Sequence, residues 1–238
     1  MRRLNLNYGV PDAKGMLAAF DKGGSAMFEK VNLTGVYDEQ ATEGNILAAI
    51  RELRSSDPND VVVVYLAGHG ELLDNGEWYF LPYDVVYPEK PEQVRKLGIS
   101  SAELNAEIAK IGGRKVMLLI DSCKSGGALS KFRGFEERKA MRQLARATGV
   151  HIVAATAQNQ FAVELATLNH GLFTYAVLEA LAGKADGGRK DGFVSVREML
   201  AYIEDRMPEL SMRERSSPQY PVIDSRGMDF PISVALMN

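Results

Sequence analysis

The chain has 238 residues, 46% of them hydrophobic and 25% charged, with a formal net charge of −3. That is enough ordinary globular sequence to bury a core without staples, and it makes no electrostatic case for nucleic acid or an anionic membrane. No run approaches the roughly 18 apolar residues of a membrane span, and Leu4-Asn5-Leu6-Asn7 after Arg2-Arg3 is not an apolar export core. The one cysteine excludes an internal disulfide, a Cys-x-x-Cys redox pair and a thiolate zinc site, and it suits a reducing, cytoplasmic setting.

In chain order, Asp12–Phe20 reads as a helix with Met16, Leu17 and Phe20 on one face, broken by Gly23-Gly24-Ser25. Phe28–Tyr37 alternates like a strand. Thr42 to Asn45 can cap a helix over Ile46–Arg54. After a turn at Ser55–Asp60 comes a continuous apolar run, Val61–Gly68, of the kind found in strands buried on both faces of a parallel sheet. Glu77–Leu81 predicts a short strand closed by Pro82. Ser100-Ser101 starts a helix with Leu104, Ile108 and Ile111 on one face, stopped by Gly112-Gly113. A second apolar run follows over Val116–Ile120. Lys131, Arg133, Arg138, Lys139, Arg142 and Arg146 then crowd into a loop and a basic helix over about Glu136–Thr148. Val150–Ala155 predicts another strand and Phe173–Leu181 a helix. Gly183–Gly192 reads as a polar turn, and Ser195 caps a helix through Met207, halted by Pro208. Strands alternating with helices indicate an α/β sandwich around a mostly parallel sheet.

Each apolar run delivers a reactive residue at its carboxyl end. The first ends at His69-Gly70 and the second at Asp121-Ser122-Cys123-Lys124. Ligands bind beyond the carboxyl ends of strands in open parallel sheets, so a thiol and an imidazole placed there can converge as nucleophile and base. A free thiol near pKa 8.5 is only about 3% thiolate at neutral pH and needs that help. Glycines beside His69 let the backbone come close to a substrate. The N–H groups of Gly70 and Cys123 can form a two-donor oxyanion hole.

An apolar strand ending in Ala67-Gly68-His69-Gly70, then one ending in Asp121-Ser122-Cys123-Lys124-Ser125-Gly126-Gly127, resembles the caspase-like cysteine peptidases, in their metacaspase and bacterial branch. Downstream, Ala154–Ala157, Gly171-Leu172-Phe173-Thr174-Tyr175, Gln219-Tyr220-Pro221 and Asp229-Phe230-Pro231 resemble the small-subunit half of such domains, and Tyr8–Ala13 resembles the entry to their first helix. The resemblance implies one caspase-like domain, a three-layer sandwich with helices on both faces of the sheet. Its large-subunit-like half would span 1–130, a basic linker 131–149 and its small-subunit-like half 150–238. It implies His69 as base, Cys123 as nucleophile, and Asp121 with Asp12 as the acids of a pocket for arginine or lysine in polypeptide substrates. Lys131, Arg133, Arg138 and Lys139 become candidate self-processing sites of a regulated zymogen. Metacaspases carry serine two before the histidine, where this chain has Ala67. Many take calcium through acidic residues; here Ser130 stands seven after the cysteine and only Glu71, Asp74, Glu77 and Asp84 follow His69, so no cofactor or metal is expected. Such domains open with an apolar strand ahead of the first helix. Met1–Tyr8 is too short and polar for it, so an upstream segment or a partner chain is expected to supply it.

Plainer readings stand beside these. A lone cysteine at a strand end is commonly a small buried hydrophobe, although its setting here favours catalysis. Asp121 can cap a turn or pair with Lys124, and Asp12 can cap its own helix. His170-Gly171 offers a rival base, His151 reads as structural, and Trp78 and Tyr79 as packing. A catalytically silent caspase-like adaptor is the alternative function, and a legumain- or separase-like peptidase a second enzymatic one.

Overall fold

A computed structural model describes residues 6–124, 139, 142–143, 150–156, 164–165, 169–188, 190–215 and 217–235. Six helices occur among them: α1 (Gly9–Ser25), α2 (Glu43–Glu52), α3 (Pro91–Leu97), α4 (Ser101–Ile108), α5 (Leu172–Glu179) and α6 (Val196–Arg215). The strands are β1 (Val61–Leu72), β2 (Trp78–Leu81), β3 (Ile99–Ser100), β4 (Lys115–Lys124), β5 (His151–Thr156), β6 (Glu164–Leu165), β7 (His170–Gly171), β8 (Phe193–Ser195), β9 (Val222–Ser225) and β10 (Pro231–Val234). The main sheet has the order β3-β2-β1-β4-β5-β9. Its long central strands β1, β4 and β5 are parallel, and the short flanking ones are antiparallel.

Alternation along the central strands sorts their side chains onto two faces. Met117, Leu119, Val153 and Ala155 join Met16 of α1, Phe173, Ala176 and Val177 of α5, and Met199, Ile203 and Met207 of α6 in one core. Val62, Val64, Leu66, Leu118, Ile120, Ile152 and Ala154 join Ile46, Leu47 and Ile50 of α2 and Leu104 and Ile108 of α4 in the other. Leu118, Leu119 and Ile120 are each 0% exposed, so β4 is buried on both faces as its unbroken apolar run predicts, each such side chain contributing about 1.5–3 kcal/mol. The α/β sandwich with helices on both faces is thus the observed architecture.

Helix starts follow their capping chemistry. The Thr42 hydroxyl accepts from Asn45 N–H, and the Ser100 hydroxyl from Glu103 N–H. Ser195 and Glu198 form a reciprocal capping box at α6, each side chain accepting from the other's N–H.

Three expectations need correction. Gly23 and Gly24 lie inside α1. A Cβ on Gly23 would stand 2.0 Å from the Ser233 hydroxyl oxygen, so this glycine lets the helix lie against β10. Phe28–Tyr37 forms no strand. Val31 packs by Gly24, Tyr37 lies under Lys14 and Val36 packs on the α2–α4 core, so the segment passes from α1 to the opposite face without pairing to a described strand. Pro208 does not end α6, which continues to Arg215; Met207 and Leu210, 0% and 1% exposed, bury the helix on both sides of it, and packing outweighs the one lost hydrogen bond. Helix α3 is an addition, anchored through buried Val94 against Leu73, Tyr79, Leu81 and Val85. The predicted basic helix over Glu136–Thr148 lies almost wholly outside the described residues.

Candidate active site

Strands β1 and β4 pair in one unbroken parallel register from Val61 with Lys115 to Gly70 with Lys124. Within it Ala67 is the partner of Asp121, and His69 the partner of Cys123. Adjacent strands stand about 4.8 Å apart, so positions remote in sequence become neighbours across one strand spacing. Both strands run past the ends of their apolar cores, and this carries positions 69 and 123 to the sheet's upper rim. Positions 67, 69, 121 and 123 share the parity of Met117 and Leu119, the face covered by α1, α5 and α6. His69 is 9% exposed, and its register partner on the other side is the apolar Leu81.

Gly68 and Gly70 have the opposite parity. A Cβ on Gly68 would stand 2.6 Å from the Phe80 ring, and one on Gly70 would stand 2.5 Å from Trp78 Nε1. Their missing side chains therefore make room for the aromatic residues of β2 and do not open a path to substrate. Trp78 is fully buried and cannot yield. Gly70→Ala is expected to destabilise the fold by about 1–3 kcal/mol through overpacking, read in a thermal melt as a Tm lower by roughly 3–10 °C. An unchanged Tm would contradict this packing.

Below the rim, two carboxylates meet at the start of α5. Its N-cap residue, Gly171, has no side chain to offer, so the orphan N–H groups of the first turn take partners from elsewhere. Asp12 accepts from the Gly171 N–H at 3.2 and 3.1 Å through its two oxygens, and from His170 Nδ1–H at 2.7 Å. Asp121 accepts from the Thr174 hydroxyl at 3.2 Å. With that proton committed, the Tyr65 hydroxyl donates to Thr174 Oγ1 at 2.7 Å. A Cβ on Gly171 would stand 2.9 Å from Asp12 Oδ2 and 3.4 Å from Asp121 Oδ2, so the carboxylates converge over one glycine. Asp12 is not the cap of its own helix, whose N-cap is Tyr8; it serves α5 instead.

This placement is electrostatically costly. Burial pushes Asp121 up to about 7, the Asp12 charge adds to the push, and the Thr174 hydroxyl and N–H only partly offset it. Burial likewise raises Asp12 above its ordinary value, against the pull of His170, Gly171 and Thr174. Two desolvated acids face each other with no cation between them among the described residues.

The caspase-domain family model of peptidases matches residues 3–231. The chain belongs to this family. Among solved structures it is similar to protein GSU0716 from Geobacter sulfurreducens at 18% identity, covering 95% of this chain and 86% of that one with a TM-score of 0.55. That likeness concerns the fold. No curated protein sequence matches the chain.

Other residues of the caspase domain find plain roles. His170 commits Nδ1 to Asp12. His151 is 1% exposed; its Nε2–H donates to the Met228 carbonyl at 2.9 Å, and Nδ1 accepts from the Ser225 hydroxyl at 2.8 Å, tying β5 to β9 and the turn after it. Glu77 accepts from the Ser101 hydroxyl and the Ala102 N–H, so it caps α4. Among the described residues no three His, Cys, Asp or Glu side chains are grouped to hold a metal, and no helix is long and apolar enough to cross a membrane. Lys131, Arg133 and Arg138 lie outside the described residues; Lys139 is exposed in a helical stretch. Thr174 and Tyr65 were not legible as site residues. The sequence signals at Thr174 were the resemblance carried by Gly171–Tyr175 and a hydroxyl at the N3 position of a helix without a side-chain cap.

Proposed function

We propose that this caspase domain is a cysteine endopeptidase that cleaves after arginine or lysine. The observation that carries the reading is the register that makes His69 and Cys123 partners on adjacent strands, with the carboxylates of buried Asp12 and half-buried Asp121 converging on Gly171 on the same face. In this reading His69 takes the Cys123 thiol proton, and the thiolate attacks the scissile carbonyl. The Gly70 and Cys123 N–H groups hold the oxyanion, and His69 returns the proton to the leaving amine. Water activated by the same imidazole then hydrolyses the thioester.

Selectivity comes from below. A lysine ammonium or arginine guanidinium entering between Asp12 and Asp121 relieves their repulsion. One ion pair at 4 Å and an effective dielectric near 20 is worth about 4 kcal/mol before desolvation is subtracted. An aspartate in the same place would add a third like charge. Fluorogenic peptides that differ only in the residue before the bond test this. Cleavage after Arg or Lys is expected to exceed cleavage after Asp by at least roughly 100-fold. Efficient cleavage after Asp with none after Arg would overturn the proposal.

A further inference from the structure

We propose that Thr174 is the positioning residue of the carboxylate pocket: its hydroxyl, held from behind by Tyr65, fixes the Asp121 carboxylate beside Asp12 and so sets the preference for a charged basic side chain over a neutral one of the same shape. The inference rests on the reading of Asp12 and Asp121 as the seat of that side chain. Thr174 acts through Asp121 and takes no part in the bond-breaking steps.

The start of α5 releases this hydroxyl from the helix. Thr174 stands at N3, after the N-cap Gly171. A polar side chain at N3 ordinarily reaches back to the N-cap N–H. Here that N–H is taken by both oxygens of Asp12, at 3.2 and 3.1 Å. The Thr174 hydroxyl turns across to the sheet instead. The residue is 0% exposed, so bulk water does not compete for it. Its β-branched side chain has little χ1 freedom, so the helix itself limits where the hydroxyl points.

Counting protons fixes the direction of the relay. A hydroxyl has one proton to give and two lone pairs to receive with, and an ionised carboxylate only accepts. The 3.2 Å contact to Asp121 Oδ2 therefore takes the Thr174 proton, and the 2.7 Å contact with Tyr65 is donated by the phenol. Tyr65 on β1, Thr174 on α5 and Asp121 on β4 form one line of donors that ends on the carboxylate, and bonds in such a line strengthen one another. The Thr174 N–H joins the hydroxyl in steadying the Asp121 charge, and the hydroxyl also supports Asp12. One turn of helix thus holds both acids.

Removal of the hydroxyl has a single sign. Each acid loses a donor that favours its ionised form, so the charge of the pair as a whole can only fall, whichever carboxylate gives it up. The Asp121 carboxylate also loses the contact that aims it. Both effects weaken the hold on a cation, and neither acts on a neutral side chain. A role in folding alone would slow cleavage after every residue alike.

The test compares two fluorogenic peptides identical except for arginine or citrulline before the bond. Citrulline has the shape of arginine and no charge. In Thr174→Val, which keeps the branched shape, the arginine-to-citrulline ratio of kcat/KM is expected to fall about tenfold, the effect of losing one hydrogen bond to a charged group. The fall should lie in arginine cleavage, with citrulline cleavage within about threefold of wild type. Thr174→Ser restores the hydroxyl and is expected to return the ratio to within about threefold of wild type. If Thr174→Val does not fold, Thr174→Ala, equally without a hydroxyl, carries the same comparison. A ratio unchanged without the hydroxyl, or lost as fully in Thr174→Ser, overturns the role of Thr174 and leaves the pocket standing. Binding of N-acetylarginine amide, followed by NMR, separates the two readings. Wild type that binds this probe but hydrolyses neither peptide ends the peptidase reading, and the same tenfold loss, now in affinity for the probe, decides the role of Thr174. Wild type that does not bind the probe overturns the basic pocket, and this inference with it.

Discussion

Cys123→Ala is expected to abolish peptide hydrolysis, with kcat falling by about 10⁴-fold or more, because in the proposed mechanism its thiolate forms the acyl intermediate. Cys123 is the sole cysteine, so no neighbouring thiol can substitute. His69→Ala is expected to lose nearly as much near neutral pH, for a different reason. It leaves the thiol in place but removes its base, and an unassisted thiol is only a few per cent ionised there. Its residual rate should therefore climb with pH up to the thiol's own pKa, whereas that of Cys123→Ala should not. Losses should be far from additive, since nucleophile and base act as one unit. Both variants are expected to fold, so thermal melts should stay within a few degrees of wild type. Wild-type protein that binds partners yet hydrolyses no basic peptide would favour the silent adaptor.

The parts of this molecule legible in its sequence are those governed by local rules. The runs Val61–Gly68 and Val116–Ile120 announce strands buried on both faces because neither alternates, and the chain forms them as β1 and β4. Thr42, Ser100 and Ser195 announce helix starts because a hydroxyl acceptor serves N–H groups only two or three residues away. Parity along β4 puts Asp121 on the face of position 123 without further information.

What escaped depends on partners distant in sequence. Phe28–Tyr37 alternates like a strand, but alternation does not supply a neighbouring ladder. Gly23 reads as a breaker until Ser233 is seen against it. Pro208 reads as a stop until the burial of Met207 and Leu210 is known. The carboxylate cradle is the clearest case. At the capless start of α5 the Gly171 N–H finds its acceptor on α1 and the Thr174 hydroxyl finds its own on β4, and no spacing rule connects Gly171 with Asp12 or Thr174 with Asp121.

Asp121→Asn is expected to move function and stability in opposite directions. For cleavage after arginine, kcat/KM should fall by roughly 10²- to 10³-fold, since one ion pair of the two is lost from a desolvated site. Stability should rise, but only above mildly acidic pH. Folding lifts the Asp121 pKa from 3.8 to about 7, so between those values the folded state holds a proton that the unfolded chain has released. Wild-type stability therefore falls as pH rises across that window and stays lowered above it. The full shift corresponds to a ceiling of about 4 kcal/mol; because a half-buried carboxylate keeps part of its hydration, a realised gain on the order of 2 kcal/mol is expected. Asn is neutral at every pH and keeps an acceptor oxygen for Thr174. The variant should thus melt roughly 4–8 °C above wild type at pH 8 and level with it near pH 4. Equal melting temperatures at both pH values would show that Asp121 is well solvated when ionised. Undiminished arginine cleavage would show that its carboxylate does not meet the substrate.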